Sequence, residues 1–104
     1  MYPEFPARSE LPQLQQYVQD VCKAKGWDGA SDLETFLLFT EEVGELAKAI
    51  RKHRALFYKK LPTAETDANL REEFADVLSY LLDLASRLDV DLLEAFREKM
   101  QSLN

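Results

Sequence analysis

The chain is 104 residues long, 46% hydrophobic and 31% charged, with a formal net charge of -6. That length suits one domain spanning 1–104, and the balance is that of a soluble globular fold rather than a disordered or membrane-embedded one. The acidic balance argues against binding nucleic-acid polymers through the general surface, although a local basic patch can still hold a small anion.

Met1 to Pro12 carries three of the four prolines and reads as an extended N-terminal arm. It lacks the basic-then-apolar order of a signal peptide, and no stretch of the chain approaches the roughly 18 apolar residues of a membrane span. A cytoplasmic setting with no membrane partner is therefore expected. Leu14, Tyr17, Val18, Val21 and Cys22 then recur at helical spacing and predict a first helix over Gln13–Lys25. Cys22 is the sole cysteine, which leaves no disulfide framework and no cysteine-based zinc site, and its apolar neighbours predict burial. Gly26 stops this helix, and Trp27-Asp28-Gly29-Ala30 forms a short connection.

Ser31 or Asp32 can cap the second helix, with Glu34 completing a capping box after Ser31. That helix is expected over Leu33–Arg54. Lys59 to Asn69, with Pro62, Thr63 and Thr66, reads as the longest loop. A third helix follows over Ala68–Leu88, and Asp89 or Asp91 caps a fourth over Leu92–Met100. The class is all-α, a compact antiparallel four-helix domain. Phe36-Leu37-Leu38-Phe39 covers its helix on every side, which a monomer this small can hardly bury. A homo-oligomer, a helical-bundle dimer or a dimer of dimers, is expected.

The second helix has an apolar stripe of Phe39, Val43, Leu46 and Ile50. At about 100° per residue, Glu42 falls beside it, where an apolar side chain would ordinarily stand. Glu45 lies at the edge of the same face at i+3, while Glu41 is turned away. The third helix repeats the device. Glu73 and Asp76 border the stripe of Phe74, Val77, Leu78, Leu81 and Leu84, with Tyr80 and Asp83 continuing the row and Glu72 further out. Two carboxylates about 5 Å apart repel by about 3 kcal/mol at an effective dielectric near 20. Four against a core would take up protons unless a cation compensated them. All-oxygen ligands favour magnesium, manganese or calcium. One such acid pair is more often a solvated face, but two, both at the edge of an apolar stripe, favour a metal site. A di-iron bundle would need Glu-x-x-His on two helices, and His53 stands too far along to supply it.

Six of the 13 basic residues, Lys48, Arg51, Lys52, Arg54, Lys59 and Lys60, fall between positions 48 and 60. Cations at a helix C-terminus are favoured by its dipole in any case. Beside a metal-binding acid cluster they also suit a polyphosphate. Trp27 is either a core residue or a stacking platform for a nucleobase, and Tyr80, one turn beyond Asp76, can cover the same pocket. No Gly-rich phosphate loop, nucleophile elbow or cysteine–histidine pair is present, so phosphate chemistry would rest on metal.

Glu41-Glu42-Val43-Gly44-Glu45-Leu46-Ala47, with 27 residues between Glu45 and Glu73, and then Glu73-Phe74-Ala75-Asp76-Val77-Leu78, resembles the MazG-type all-α nucleoside triphosphate pyrophosphohydrolases. The segment Val90-Asp91-Leu92 to Lys99-Met100 is similar to their dCTP pyrophosphatase-like branch, and the likeness covers roughly Gly26 to Met100. The resemblance implies an obligate dimer, often paired into a tetramer. It implies Mg2+, with Mn2+ able to substitute, on Glu42, Glu45, Glu73 and Asp76. It also implies cleavage of a (deoxy)nucleoside triphosphate to the monophosphate and pyrophosphate, as in nucleotide-pool cleaning. Trp27 and Tyr80 match base- or sugar-contacting positions. Lys48, Lys52, Lys59 and Lys60, from the basic segment itself, are the candidate phosphate contacts, and Glu41 or Asp83 is the candidate to orient the attacking water. Where that branch usually carries another aromatic, this chain has Lys52. The alternatives are a phosphoribosyl-ATP pyrophosphohydrolase of the same fold, or a non-catalytic metal-binding helical dimer.

Overall fold

A computed structural model describes residues 2–55 and 63–103, and these contain four α-helices and no strand. Their order is α1 (Leu11–Lys25), α2 (Asp32–His53), α3 (Ala64–Arg87) and α4 (Leu92–Gln101). The all-α expectation is met. Lys59 and Lys60 lie outside the described residues.

Local chemistry sets the ends. Helix α1 starts at Leu11, ahead of the expected Gln13, because Pro12 is tolerated in a first turn whose N–H groups need no intrahelical partner. It ends on Gly26 in the left-handed region at φ 73°, where a side chain would be strained. Of the two cap candidates for α2, Ser31 serves: its Oγ accepts from the Glu34 N–H at 3.1 Å, and Glu34 Oε1 accepts from the Ser31 N–H at 3.0 Å. Helix α3 begins at Ala64, four residues before the expected Ala68. Thr63 and Thr66, read from the sequence as loop residues, are reciprocal caps, with the Thr63 N–H donating to Thr66 Oγ1 at 2.8 Å. Asp91, not Asp89, caps α4, accepting from the Glu94 N–H at 3.0 Å. Asp89 instead takes φ 57° to close α3, and the Val90 N–H reaches back to the Ala85 carbonyl at 2.8 Å.

Helices α2 and α3 form the main packed pair. Contacts join Ala30 to Arg87, Glu42 to Glu73 and Asp76, and His53 to Asp67, so partners rise along one helix as they fall along the other. The pair is antiparallel. Helix α1 lies against α3, and α4 meets α1. Gln15, buried on α1, fixes the turn before α4. Its Nε2 donates to the Val90 carbonyl at 2.8 Å and its Oε1 accepts from the Leu92 N–H at 2.9 Å.

The buried apolar residues are few: Cys22, Ala49, Leu82 and Ala85 among those described. Cys22 is thus inside, as its neighbours predict. Phe36, Leu37 and Leu38 are 48%, 58% and 41% exposed, and Val43, Ile50, Phe74, Leu78 and Leu81 join them at the surface of the α2–α3 pair. One copy of the chain leaves that face open to water.

Candidate metal centre and adjoining cleft

Where α2 lies along α3, Glu42, Glu73 and Asp76 each present a carboxylate oxygen, and the three oxygens lie within 4.8 Å of one another. Helical phase produces this: Glu73 and Asp76 are one turn apart on α3, and Glu42 leans from the flank of the α2 stripe toward them. Glu42 and Glu73 are half-buried and Asp76 is exposed. Glu45, one turn beyond Glu42, is exposed and stands outside this tight group.

The electrostatics are those of crowded acids. Glu42 is pushed above the usual carboxylate pKa, first by burial, then by the charges of Asp76, Glu73 and Glu45 and by its contact with Glu73. Glu73 Oε1 lies 3.5 Å from Asn69 Nδ2, while its Oε2 is buried without a hydrogen-bond donor. A buried, donorless carboxylate oxygen facing two more carboxylates is costly. A divalent cation with a preference for oxygen is the partner that suits this donor set.

A cleft of about 890 Å³ opens beside the acids, with Glu42 and Asp76 at one end and Trp27 at the other. Tyr80 lies between them, one turn along α3 from Asp76. Its phenol is held protonated by burial and by the charges of Glu42, Asp76 and Asp83. Trp27 does not enter the core: it is 57% exposed and carries the Lys25 ammonium 4.7 Å from its ring centroid. Tyr2 of the N-terminal arm takes the same ammonium at 5.0 Å.

At the tryptophan end, Asp83 is buried and paired with Arg87, Oδ1 to Nε, at 3.0 Å. The thiol of Cys22 sits beside them and is kept protonated, chiefly by burial and then by the Asp83 charge. Arg87 Nη2 donates to the Trp27 carbonyl at 3.1 Å, and Nη1 donates to the Ala30 carbonyl.

The structure therefore gathers Glu42, Glu73 and Asp76, and gathers Trp27, Tyr80 and Asp83 along one cleft. Glu41 and Lys48 are exposed on α2, and Lys52 is half-buried three turns past Glu42, beyond the acids rather than in the cleft. Sequence reading passed over Asn69 and Arg87. Each sits four residues from an acid it contacts, Glu73 and Asp83, and that helical spacing was the available signal.

No curated protein matches the chain. A family match does exist and covers residues 31–103, which contain α2, α3, α4 and all three clustered acids. Most of the sequence is thus accounted for, and the chain belongs to the family of the MazG nucleotide pyrophosphohydrolase domain.

Proposed function

We propose that the protein is a Mg2+-dependent hydrolase, with Mn2+ able to substitute, that cleaves (d)NTP to (d)NMP and pyrophosphate. The observation that carries this is the convergence of Glu42, Glu73 and Asp76 at one end of a cleft whose other end is an exposed tryptophan. Metal at one end and an aromatic face at the other match a triphosphate joined to a base.

Glu42, Glu73 and Asp76 would hold the ion, and Glu45 joins them by a turn of its exposed side chain. A divalent ion held there would neutralise phosphate charge and lower the pKa of the attacking water. A water oxygen bonds to the α-phosphorus, the bond from that phosphorus to the bridging oxygen breaks, pyrophosphate departs, and one proton is released. Glu41 faces solvent and Asp83 is tied to Arg87, so neither carboxylate stands in the acid group. Tyr80 keeps its proton and can donate to sugar or phosphate oxygen. Lys48 and Lys52 extend from the acid end and suit the outer phosphates, with Lys59 and Lys60 in the same segment of sequence. Trp27 offers a face to the base.

The working form in this proposal is a homodimer, or a dimer of dimers. The open face of Phe36, Leu37, Val43, Phe74 and Leu78 supports it, since a second copy of the chain supplies the apolar cover one copy lacks. Among the described residues no helix is long and apolar enough to cross a membrane, and a cytoplasmic setting accords with a nucleotide substrate.

The test is pyrophosphate release across canonical and modified NTPs and dNTPs, with and without Mg2+. Release that requires the metal and yields the monophosphate is expected. No release from any nucleotide, or release of orthophosphate alone, would refute the activity.

A further inference from the structure

Trp27 stands on a short connection with little packing of its own, yet its position decides whether a base at that end can share a ligand with the acids. Its ring is exposed and lies against a flexible group, the Lys25 ammonium. Two backbone features help: Gly26 turns the chain, and the Trp27 N–H donates to the Cys22 carbonyl at 2.8 Å. These tie the connection to α1. What ties it to α3, the helix carrying Glu73, Asp76 and Tyr80, is Arg87.

The guanidinium of Arg87 is planar, and three of its nitrogens are used in different directions. Nε meets Asp83 at 3.0 Å, Nη2 meets the Trp27 carbonyl at 3.1 Å, and Nη1 meets the Ala30 carbonyl. Both side chains of the ion pair are largely buried, at 14% and 12% exposed. A rigid fork with its charge balanced by a buried carboxylate has little freedom to turn. Arg87 therefore grips the connection at residues 27 and 30. It does so from the same helix that carries two of the clustered acids, so metal end and tryptophan end are measured along one rigid rod. From Asp76 to Arg87 the helix rises about 16 Å.

We propose that Arg87 is a positioning residue that sets the Trp27 face in register with the acid cluster, and that Asp83 acts as its counter-ion rather than as the acid that orients water. This rests on the nucleotide reading of the cleft. It separates two jobs that a lone acid beside the active carboxylates would otherwise combine.

The experiment compares wild type, Arg87→Lys and the double variant Asp83→Asn with Arg87→Met. The double variant removes both buried charges together and so keeps the fold testable, checked by circular dichroism and by elution volume. Pyrophosphate release is measured as KM and kcat separately. Because Trp27 is the only tryptophan, its fluorescence is titrated in parallel with the Mg2+ complexes of the α,β-methylene analogues of dCTP, dTTP, dATP and dGTP, and with Mg2+-tripolyphosphate as the base-free control.

Wild-type fluorescence is expected to respond to at least one nucleotide analogue and not to tripolyphosphate. Both variants are expected to raise KM about tenfold or more with kcat within about threefold, and to lose the fluorescence response. Lysine keeps the charge but not the fork, so its failure to restore KM is part of the expectation. A fall in kcat of about 100-fold with KM unchanged in the double variant overturns the proposal, and assigns Asp83 to the water. Unchanged KM and unchanged fluorescence in both variants overturn it as well. If wild type releases no pyrophosphate yet shows an Arg87-dependent response to an analogue, the positioning role stands and the hydrolytic reading alone fails.

Discussion

Helices α2 and α3 carry the same device, two acids at i and i+3 beside an apolar stripe, and the structure treats them differently. On α3 both Glu73 and Asp76 enter the tight group. On α2 only Glu42 does, and Glu45 remains in solvent. The phase of each helix against the other explains it. Glu42 leans across the seam, whereas Glu45 is one turn nearer the basic end and at the border of its face. Matching spacing in sequence thus yields unequal depth in space, and depth decides which carboxylate is strained. The strained one is Glu42, and the orphaned oxygen belongs to Glu73.

That inequality can be broken or sharpened in graded steps. Glu42→Gln, Glu73→Gln and Asp76→Asn each remove a converging oxygen, and each is expected to lower Mg2+-dependent pyrophosphate release by at least about 100-fold. Glu45→Gln should cost less, about tenfold in kcat, with apparent Mg2+ affinity falling by a similar factor. A Glu45 variant as inactive as the Glu42 variant would show that the two helices contribute equally once the ion is bound. Glu41→Gln, turned away from the seam, is expected to stay within about threefold of wild type. A larger drop in kcat would give Glu41 the water-orienting role.

A stability measurement probes the same contrast without substrate. The pKa of Glu42 is raised in the fold, so the folded state holds this proton more tightly than the unfolded chain does. Below the unfolded value of 4.5 the group costs nothing, and as pH rises through the raised folded value its ionised form becomes a penalty. In metal-free buffer Glu42→Gln should therefore melt higher than wild type at pH 7, with the difference fading toward pH 4. Added Mg2+ should reverse the order at pH 7, because the ion stabilises the wild type more. A Glu42→Gln variant that melts lower than wild type in chelator at pH 7 would mean the acid is not strained.

Much of this was legible in the residues. Helical periodicity gave all four helices, and phase alone set Glu42, Glu45, Glu73 and Asp76 apart from Glu41 and Glu72, though not Glu45 from the three acids that converge. Capping chemistry was harder to read where two polar residues compete. Thr63 and Thr66 look like loop residues until their reciprocal bonds are seen, and Asp89 looks like a cap until its neighbour Asp91 takes the bond. Arg87 showed in sequence only its four-residue spacing from Asp83; its other targets are main-chain carbonyls 57 and 60 residues away, and a carbonyl has no signature in sequence. Trp27 carries enough apolar area to belong in a core. Only the placement of its connection, held by Gly26 and Arg87, leaves it outside.

Gln15 has a consequence for how the molecule opens. One buried amide grips the Val90 carbonyl and the Leu92 N–H, closing the turn before α4 much as a neighbouring strand would. The Leu92 N–H lies in the first turn of its helix, where amides ordinarily trade their protons with water freely. Here its exchange must wait until α1 separates from the rest, although α4 itself has no buried residue. Native-state hydrogen exchange should find Leu92 protected well beyond the other first-turn amides of α4, and Gln15→Leu should erase that difference. The opening that frees this proton reports the departure of the first helix, read from the start of the last.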